Sequence, residues 1–407
     1  MKIKFMTIAC AALLMCGQAL AADHVRGQLK VGAAKIDVTP AENQLGRNSY
    51  GILDHTHFRV ILFSNGTQIA GLANIDGNPN QRCVDAVNER IEKDFGIPQG
   101  NIIYNGTHCH STGTVPPDEL IERMYQGVKK AYESMVPAKV GTGKGVCHLN
   151  VKRDLFDPER GTWWEGPDYD GKSEEYVESR YGDDFVAIFS SGAAGDQNPL
   201  YFQQTFDLRD IRIADYAKRG EDISNKMPPG GTGLDRNDPE TARLMGEQKR
   251  MAESYGQLLG EEVRYVIMMM RRFESNVTLE AARTHITCPG RRQTNGGGRA
   301  GYAGEYVDAD PISLEIGLVM LDQIPVCMVS GEVYNQIAVE LKEKSPYKFT
   351  MMTTVTDGHN QGRGGYIPDD ESYGAQVFEV LGSGYKQGYA QPGIVNGLLD
   401  LIHNATH

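Results

Sequence analysis

The chain has 407 residues, 40% of them hydrophobic and 23% charged, with a formal net charge of -12. That length buries a large core, as one big domain or two ordinary ones. The acidic balance argues against nucleic acid as a partner and against a general attraction to anionic lipid.

MKIKFMTIACAALLMCGQALA opens the chain. Lys2 and Lys4 precede an apolar run that ends in Ala19-Leu20-Ala21, the three-part pattern of a secretory signal peptide cleaved after Ala21. A lipoprotein reading through Leu13-Leu14-Met15-Cys16 ranks below it, because Met15 is bulky where a small residue is needed. The run is too short and wrongly flanked for a lasting membrane span, and no other segment is apolar enough for one. The expectation is an exported protein, periplasmic or secreted, with no integral membrane span. Residues 22–407 would remain as the mature chain, and loss of the two lysine charges takes the net charge from -12 to about -14. Cys83, Cys109, Cys147, Cys288 and Cys327 remain, an odd and sparse set without zinc-finger pairs. Most read as small buried residues, with room for one bridge in an oxidising compartment.

Residues 58–76, FRVILFSNGTQIAGLANID, read as a hairpin around Ser64-Asn65-Gly66. Residues 83–95 have apolar positions at helical spacing. NIIYNGTH, 101–108, is a short strand that ends in a loop of Gly, Ser and Thr. Residues 116–135 read as a helix with Pro at its start and acids in its first turn. FVAIFSSGAAGDQNP, 185–199, reads as a buried strand running into a Gly-rich turn, and 202–237 as an irregular surface loop. A long helix follows from about Pro239 to Arg272, capped by Asp238. Strands are expected at 313–321 and 324–331, a helix at 335–344, and a Gly-rich then helical tail over 356–380. There is no internal repeat and no low-complexity tract. The pattern predicts one large α/β domain with a mixed sheet and flanking helices. In such folds chemistry gathers where strands end, which singles out Asp76, His108/His110, Asp196 and Glu332.

In extended chain, residues i and i+2 point to the same side, so His108-Cys109-His110 aims two imidazoles into one space. That suits a zinc with two histidine ligands, one ligand beside one proton-transfer group, or an ordinary surface loop. His55 and His57 have the same spacing and serve as a control. Glu332 leaves a buried strand either as a helix-start cap or as a functional carboxylate. Tyr366, in GGYIPDD, is an aromatic lid or a site residue. Arg153, in LNVKRD, is a solvated arginine or an anion or carbonyl clamp. No P-loop, no G-x-S-x-G elbow and no G-x-G-x-x-G in strand–helix context is present.

VGAAKIDVTP, NGTHCHSTG, LNVKRD, FSSGAAGDQNP, SGEVYNQIAVEL and GGYIPDDESYGAQVFEV occur in this order from about residue 31 to the end. Together they resemble the neutral/alkaline (non-lysosomal) ceramidase family. The resemblance implies a ceramidase-like catalytic fold and a zinc amidase, exported or membrane-facing, that splits ceramide into sphingosine and a fatty acid. It implies His108, Glu332 and Tyr366 as ligands of Zn2+, His110 as the acid–base partner, and Arg153 as the contact to the substrate carbonyl. The chemistry is coherent: zinc acidifies a bound water and polarises the amide, and a histidine carries the proton.

Three departures accompany the resemblance. The family has a further zinc histidine between the N-x-x-R stretch and the G-A-A-G-D turn, and the shorter interval here contains none, as if a strand were excised between Gly171 and Glu175. His359 is the nearby histidine that could replace it. Phe378 stands where the family tends to have a second tyrosine. The family's β-sandwich domain does not follow. Three readings result: an N-acyl amide hydrolase acting on ceramide or a related small-molecule or lipid compound, a hydrolase of the same fold for a more polar amide or ester, or an inactive binding homologue.

Overall fold

The computed structural model of the chain describes residues 25–45, 49, 51–110, 112, 113, 115–153, 155–157, 162–164, 173–182, 184–200, 203–224, 234–296, 302–358 and 365–407. The expected leader, residues 1–21, and His359 lie outside these.

The N-terminal half forms β1 (Lys30–Asp37), β2 (His57–Ser64), β3 (Ile69–Ile75), α1 (Gln81–Phe95), β4 (Ile102–Gly106), α2 (Pro117–Glu133) and β5 (Val136–Pro137). Its sheet runs in the order β4-β3-β2-β1-β5, with β3 and β4 parallel and the other pairs antiparallel. The hairpin turn closes because the Asn65 side chain accepts from the Thr67 and Gln68 amides. Next come β6 (Asn150–Lys152), α3 (Ser173–Tyr181), β7 (Gln197–Pro199), α4 (Gln203–Lys218) and α5 (Pro239–Met269). The second half comprises β8 (Leu279–Gln293), β9 (Tyr306–Leu321), β10 (Ile324–Val329), β11 (Glu332–Val333), α6 (Asn335–Lys344), β12 (Met351–Thr353), β13 (Tyr366–Ile367), α7 (Phe378–Gly382) and α8 (Ala390–Asn404). Its sheet has the order β8-β9-β10-β12, with β10 and β12 parallel.

Side chains alternate across each strand, so each sheet has two faces to cover. Phe58, Val60 and Leu62 pack with Val84, Val87 and Ile91 of α1 and with Leu120, Met124 and Val128 of α2. The opposite face of the same sheet, including Phe63, Ala70, Leu72 and Ile103, packs with Val319, Leu321, Val326 and Met328 of the second sheet. The far face of the second sheet, with Leu314, Ile316 and Leu318, is covered by Ile337 and Leu341 of α6 and Ile394, Leu398 and Ile402 of α8. The result is four layers: helices, sheet, sheet, helices. The α/β class agrees with the sequence expectation. The single mixed sheet becomes two stacked mixed sheets, because both faces of each are apolar.

Two local expectations are corrected. Residues 185–192 form no strand, because their backbone groups are met by side chains instead of a ladder. Glu178 accepts from the Ala187 amide at 3.2 Å and Glu174 from the Phe189 amide at 2.6 Å. Asn74 and Asn105 donate to the Phe189 carbonyl at 2.7 and 3.0 Å. The supposed loop over 202–237 begins with the helix α4, on which only Leu208 is buried. A stripe that thin leaves little periodic signal. The long strand β8 and the terminal helix α8 complete the second sheet and its cover, and had no place in the sequence reading. The five described cysteines are free thiols, with Cys83, Cys288 and Cys327 buried. No described helix is long and apolar enough to cross a membrane.

Candidate metal centre

β4 ends at Gly106, and the chain turns over the end of β3. A Cβ on Gly106 would lie 2.3 Å from the Gly77 carbonyl oxygen, so the approach needs glycine. Thr107 Oγ1 accepts from the Gly77 amide at 3.0 Å, and the His108 amide donates to the Gly77 carbonyl at 3.0 Å. His108 is thereby held at φ 59°, the left-handed region that a non-glycine residue enters at a cost of about 1–2 kcal/mol. The two histidines do converge, with Nε2 atoms 3.4 Å apart and rings edge-on at 5.0 Å. They meet through this left-handed turn and not through the extended i, i+2 geometry that the spacing suggests.

Glu332 faces them from the segment that follows β10, in a two-stranded pair of its own. Its strand β11 pairs in parallel with β13 so that Glu332 is opposite Tyr366. Glu332 Oε1 lies 3.1 Å from His108 Nε2. Burial alone would push the Glu332 carboxyl up. Hydrogen bonds from His108 and Tyr366, with the charges of His108 and Arg153, outweigh burial and hold it below the usual carboxylate range. The helix-cap reading of Glu332 does not hold. The residue before α6 is Tyr334, which makes no side-chain cap bond, and the Asn335 amide donates instead to Asp196 Oδ1 at 2.8 Å. Asp196 thus ties the Gly-rich turn to the start of α6. Gly195 brings that turn against β11: its amide donates to the Val333 carbonyl at 2.8 Å, and a Cβ there would be 3.0 Å from Val333 backbone atoms.

Arg153 is turned into the protein. Its side chain is 1% exposed and paired with Glu379, itself 0% exposed. It donates to the Gly195 carbonyl at 2.7 Å, and its amide donates to the Asp196 carbonyl at 2.9 Å. The guanidinium carbon is 5.2 Å from the centre of the Tyr366 ring, and Phe378 meets that ring edge-on at 5.9 Å. Neither a solvated arginine nor an open carbonyl clamp describes this placement.

The control pair behaves differently. His55 Nδ1 is 2.5 Å from Asp37 Oδ2, whereas the His57 amide donates to Asp76. The His55 imidazole pairs with Asp37, whereas His57 Nδ1 lies 3.9 Å from Asp76 Oδ2. Asp37 is held down to about 2: its partial burial works against this, and bonds from Thr39 and His55 prevail.

Whether the first cluster suits zinc can be tested on its donors. Groups sharing one tetrahedral zinc at ordinary bond lengths lie about 3.3 Å apart. The 3.1 Å between His108 Nε2 and Glu332 Oε1 fits that, and imidazole nitrogen with carboxylate oxygen is a zinc donor set. Among the described residues no three His, Cys, Asp or Glu side chains gather as a metal group. The Tyr366 phenol, which bonds Glu332, is the further oxygen beside these two groups. His110 stands outside that trio, against His108.

His108, His110, Glu332, Tyr366 and Arg153 come from distant parts of the chain and meet here, as the sequence motifs anticipated. Glu379 was not anticipated. Its signal was a lone acid inside the apolar run Val377-Phe378-Glu379-Val380-Leu381 at a helix start.

No protein-family model and no curated protein matches the sequence. Solved structures do match the fold. One is neutral ceramidase from Pseudomonas aeruginosa, with a TM-score of 0.62 and 13% identity over 93% of this chain and 74% of that one. Another is a ceramidase complexed with C2, with the same TM-score and identity over 92% of this chain and 74% of that one. At this identity the likeness shows a shared fold.

Proposed function

We propose that the protein is a zinc-dependent hydrolase of N-acyl amides, with ceramide or a related N-acyl lipid as substrate. The observation that carries the reading is the junction of His108 and Glu332 at 3.1 Å, with Tyr366 bonded to the same carboxylate. The ceramidase-like fold supports it. His108, Glu332 and Tyr366 would hold the ion. The chemistry such an ion supplies is a water acidic near neutral pH and a polarised carbonyl. The residues here do the rest. Glu332 stays ionised despite burial, which keeps a donor ready. His110 is exposed beside His108 Nε2, where an imidazole can take a proton and return it to a leaving amine. Export by the N-terminal leader accompanies this reading.

The assay is release of fatty acid from a short-chain N-acylsphingosine by zinc-loaded protein. His108→Ala and Glu332→Gln should each lose at least about a hundredfold in rate. Full activity in either variant, or after exhaustive chelation, would overturn the reading. One observation favours a second reading, a non-hydrolytic binding homologue: among the described residues no three His, Cys, Asp or Glu side chains gather as a metal group. Tight binding of the N-acyl lipid without turnover would select it, and turnover of a polar amide or ester in its place would select a same-fold hydrolase of a different substrate.

A further inference from the structure

We infer that Arg153 and Glu379 are positioning residues, a buried ion pair that sets the Tyr366 phenol against Glu332 and does not touch substrate. The inference rests on the metal-site reading above.

Four segments converge on the Arg153 guanidinium. Arg153 directly follows β6, donates to the turn carbonyl of Gly195, pairs with Glu379 of α7 and lies over the Tyr366 ring of β13. At 1% and 0% exposure, neither member of the pair can meet a solvent-borne carbonyl unless the wall opens. A buried arginine–carboxylate pair adds little net stability over an apolar pair of the same volume, whereas it fixes geometry in a way that apolar packing does not. What it fixes is the tyrosine. A guanidinium within about 6 Å of a ring centre is attracted to the ring face. Phe378, adjacent to Glu379, closes on the same ring edge-on at 74°. One short helix, α7, therefore delivers both the anchor of the arginine and the second wall of the tyrosine. The ring so clamped has its hydroxyl on Glu332, the residue opposite it in the strand register. Gly195 and Asp196, the arginine's backbone partners, also hold Val333 and Asn335 on either side of Tyr334. The pair thus reaches the carboxylate by two routes, through the ring and through the turn.

The test is a zinc-affinity cycle, read by chelator competition with melting curves alongside. Arg153→Met and Glu379→Gln should each weaken zinc binding about tenfold or more, as loss of a group orienting a ligand does. Arg153→Lys should recover part of the loss. In a Tyr366→Phe background, which keeps the ring and removes the hydroxyl, Glu379→Gln should weaken zinc by less than about twofold further, a coupling that a general loss of stability does not produce. Zinc affinities of Arg153→Lys and Glu379→Gln both within twofold of the parent, with KM for the short-chain N-acylsphingosine raised, would overturn the inference and return Arg153 to the substrate. Additive losses in the Tyr366→Phe background would overturn it as well. A parent protein that binds no zinc would instead remove the metal-site reading and this inference with it. The parent measurement alone separates the two failures.

Discussion

Glu174→Gln should stabilise the protein several times more at alkaline pH than at pH 5. Glu174 lies in the first turn of α3, 7% exposed, 3.3 Å from the buried Arg59 guanidinium and bonded to the Phe189 amide. Burial raises its carboxyl, Arg59 and the Phe189 amide lower it, Asp76 and Glu178 raise it again, and it is carried from an ordinary 4.5 to about 7. The unfolded chain releases this proton near 4.5 and the folded chain holds it until about 7, so the native state binds more protons between the two. Stability is full below pH 4.5 and falls as pH rises through that window. Each tenfold step is about 1.4 kcal/mol, so the ionised carboxylate costs about 3 kcal/mol above pH 7. A neutral amide keeps the hydrogen bond to Phe189 without that cost. Urea unfolding of both proteins at pH 5, 6, 7 and 8 gives the difference directly, and shared groups such as His57 cancel. The variant should be more stable by about 3 kcal/mol at pH 8 and about 1 kcal/mol at pH 5. A difference independent of pH, or a variant less stable at pH 8, would refute the reasoning. It would mean that the charge on Glu174 is needed by Arg59 despite Glu178 and Asp76.

Gly195→Ala should cost about 1–3 kcal/mol in thermal unfolding, because its methyl would press on Val333 and Glu332 backbone atoms at 3.0–3.1 Å. An unchanged melting temperature would show that the turn can back away from β11. Asp196→Ala should cost about 0.5–2 kcal/mol through the Asn335 amide, in the manner of a lost helix cap. Full stability in urea would mean that another group replaces it. Cys327 is fully buried, and burial pushes its thiol up to about 12. It should resist a thiol reagent at pH 8 in the native state and react at once in urea, as followed by labelling and peptide mass. Native labelling at this position would contradict the packing of β10.

The elements that were legible in sequence are those with a strong local pattern. α1 and α2 each bury five or six side chains along one face, and Asn65-Gly66 closes the β2–β3 hairpin in the expected way. α4 was hidden because burial of Leu208 alone leaves no stripe. Residues 185–192 misled because an apolar run looks the same whether its backbone bonds go to strands or to side chains of Glu174, Glu178, Asn74 and Asn105. At the site, the motifs identified which residues would meet. They were silent on how, because His108's left-handed turn depends on contacts with Gly77, just past the end of β3. Arg153's inward pairing was equally hidden, since Glu379 is 226 residues away in sequence and joins it only in the folded core.

The proposed function stands on a zinc site built on His108 and Glu332. Its most direct test is elemental analysis of protein purified without chelator, beside His108→Ala, with circular dichroism to confirm that both are folded. About one zinc per chain in the parent and almost none in the variant is the predicted result. A folded parent without zinc, or equal zinc in both proteins, would contradict it.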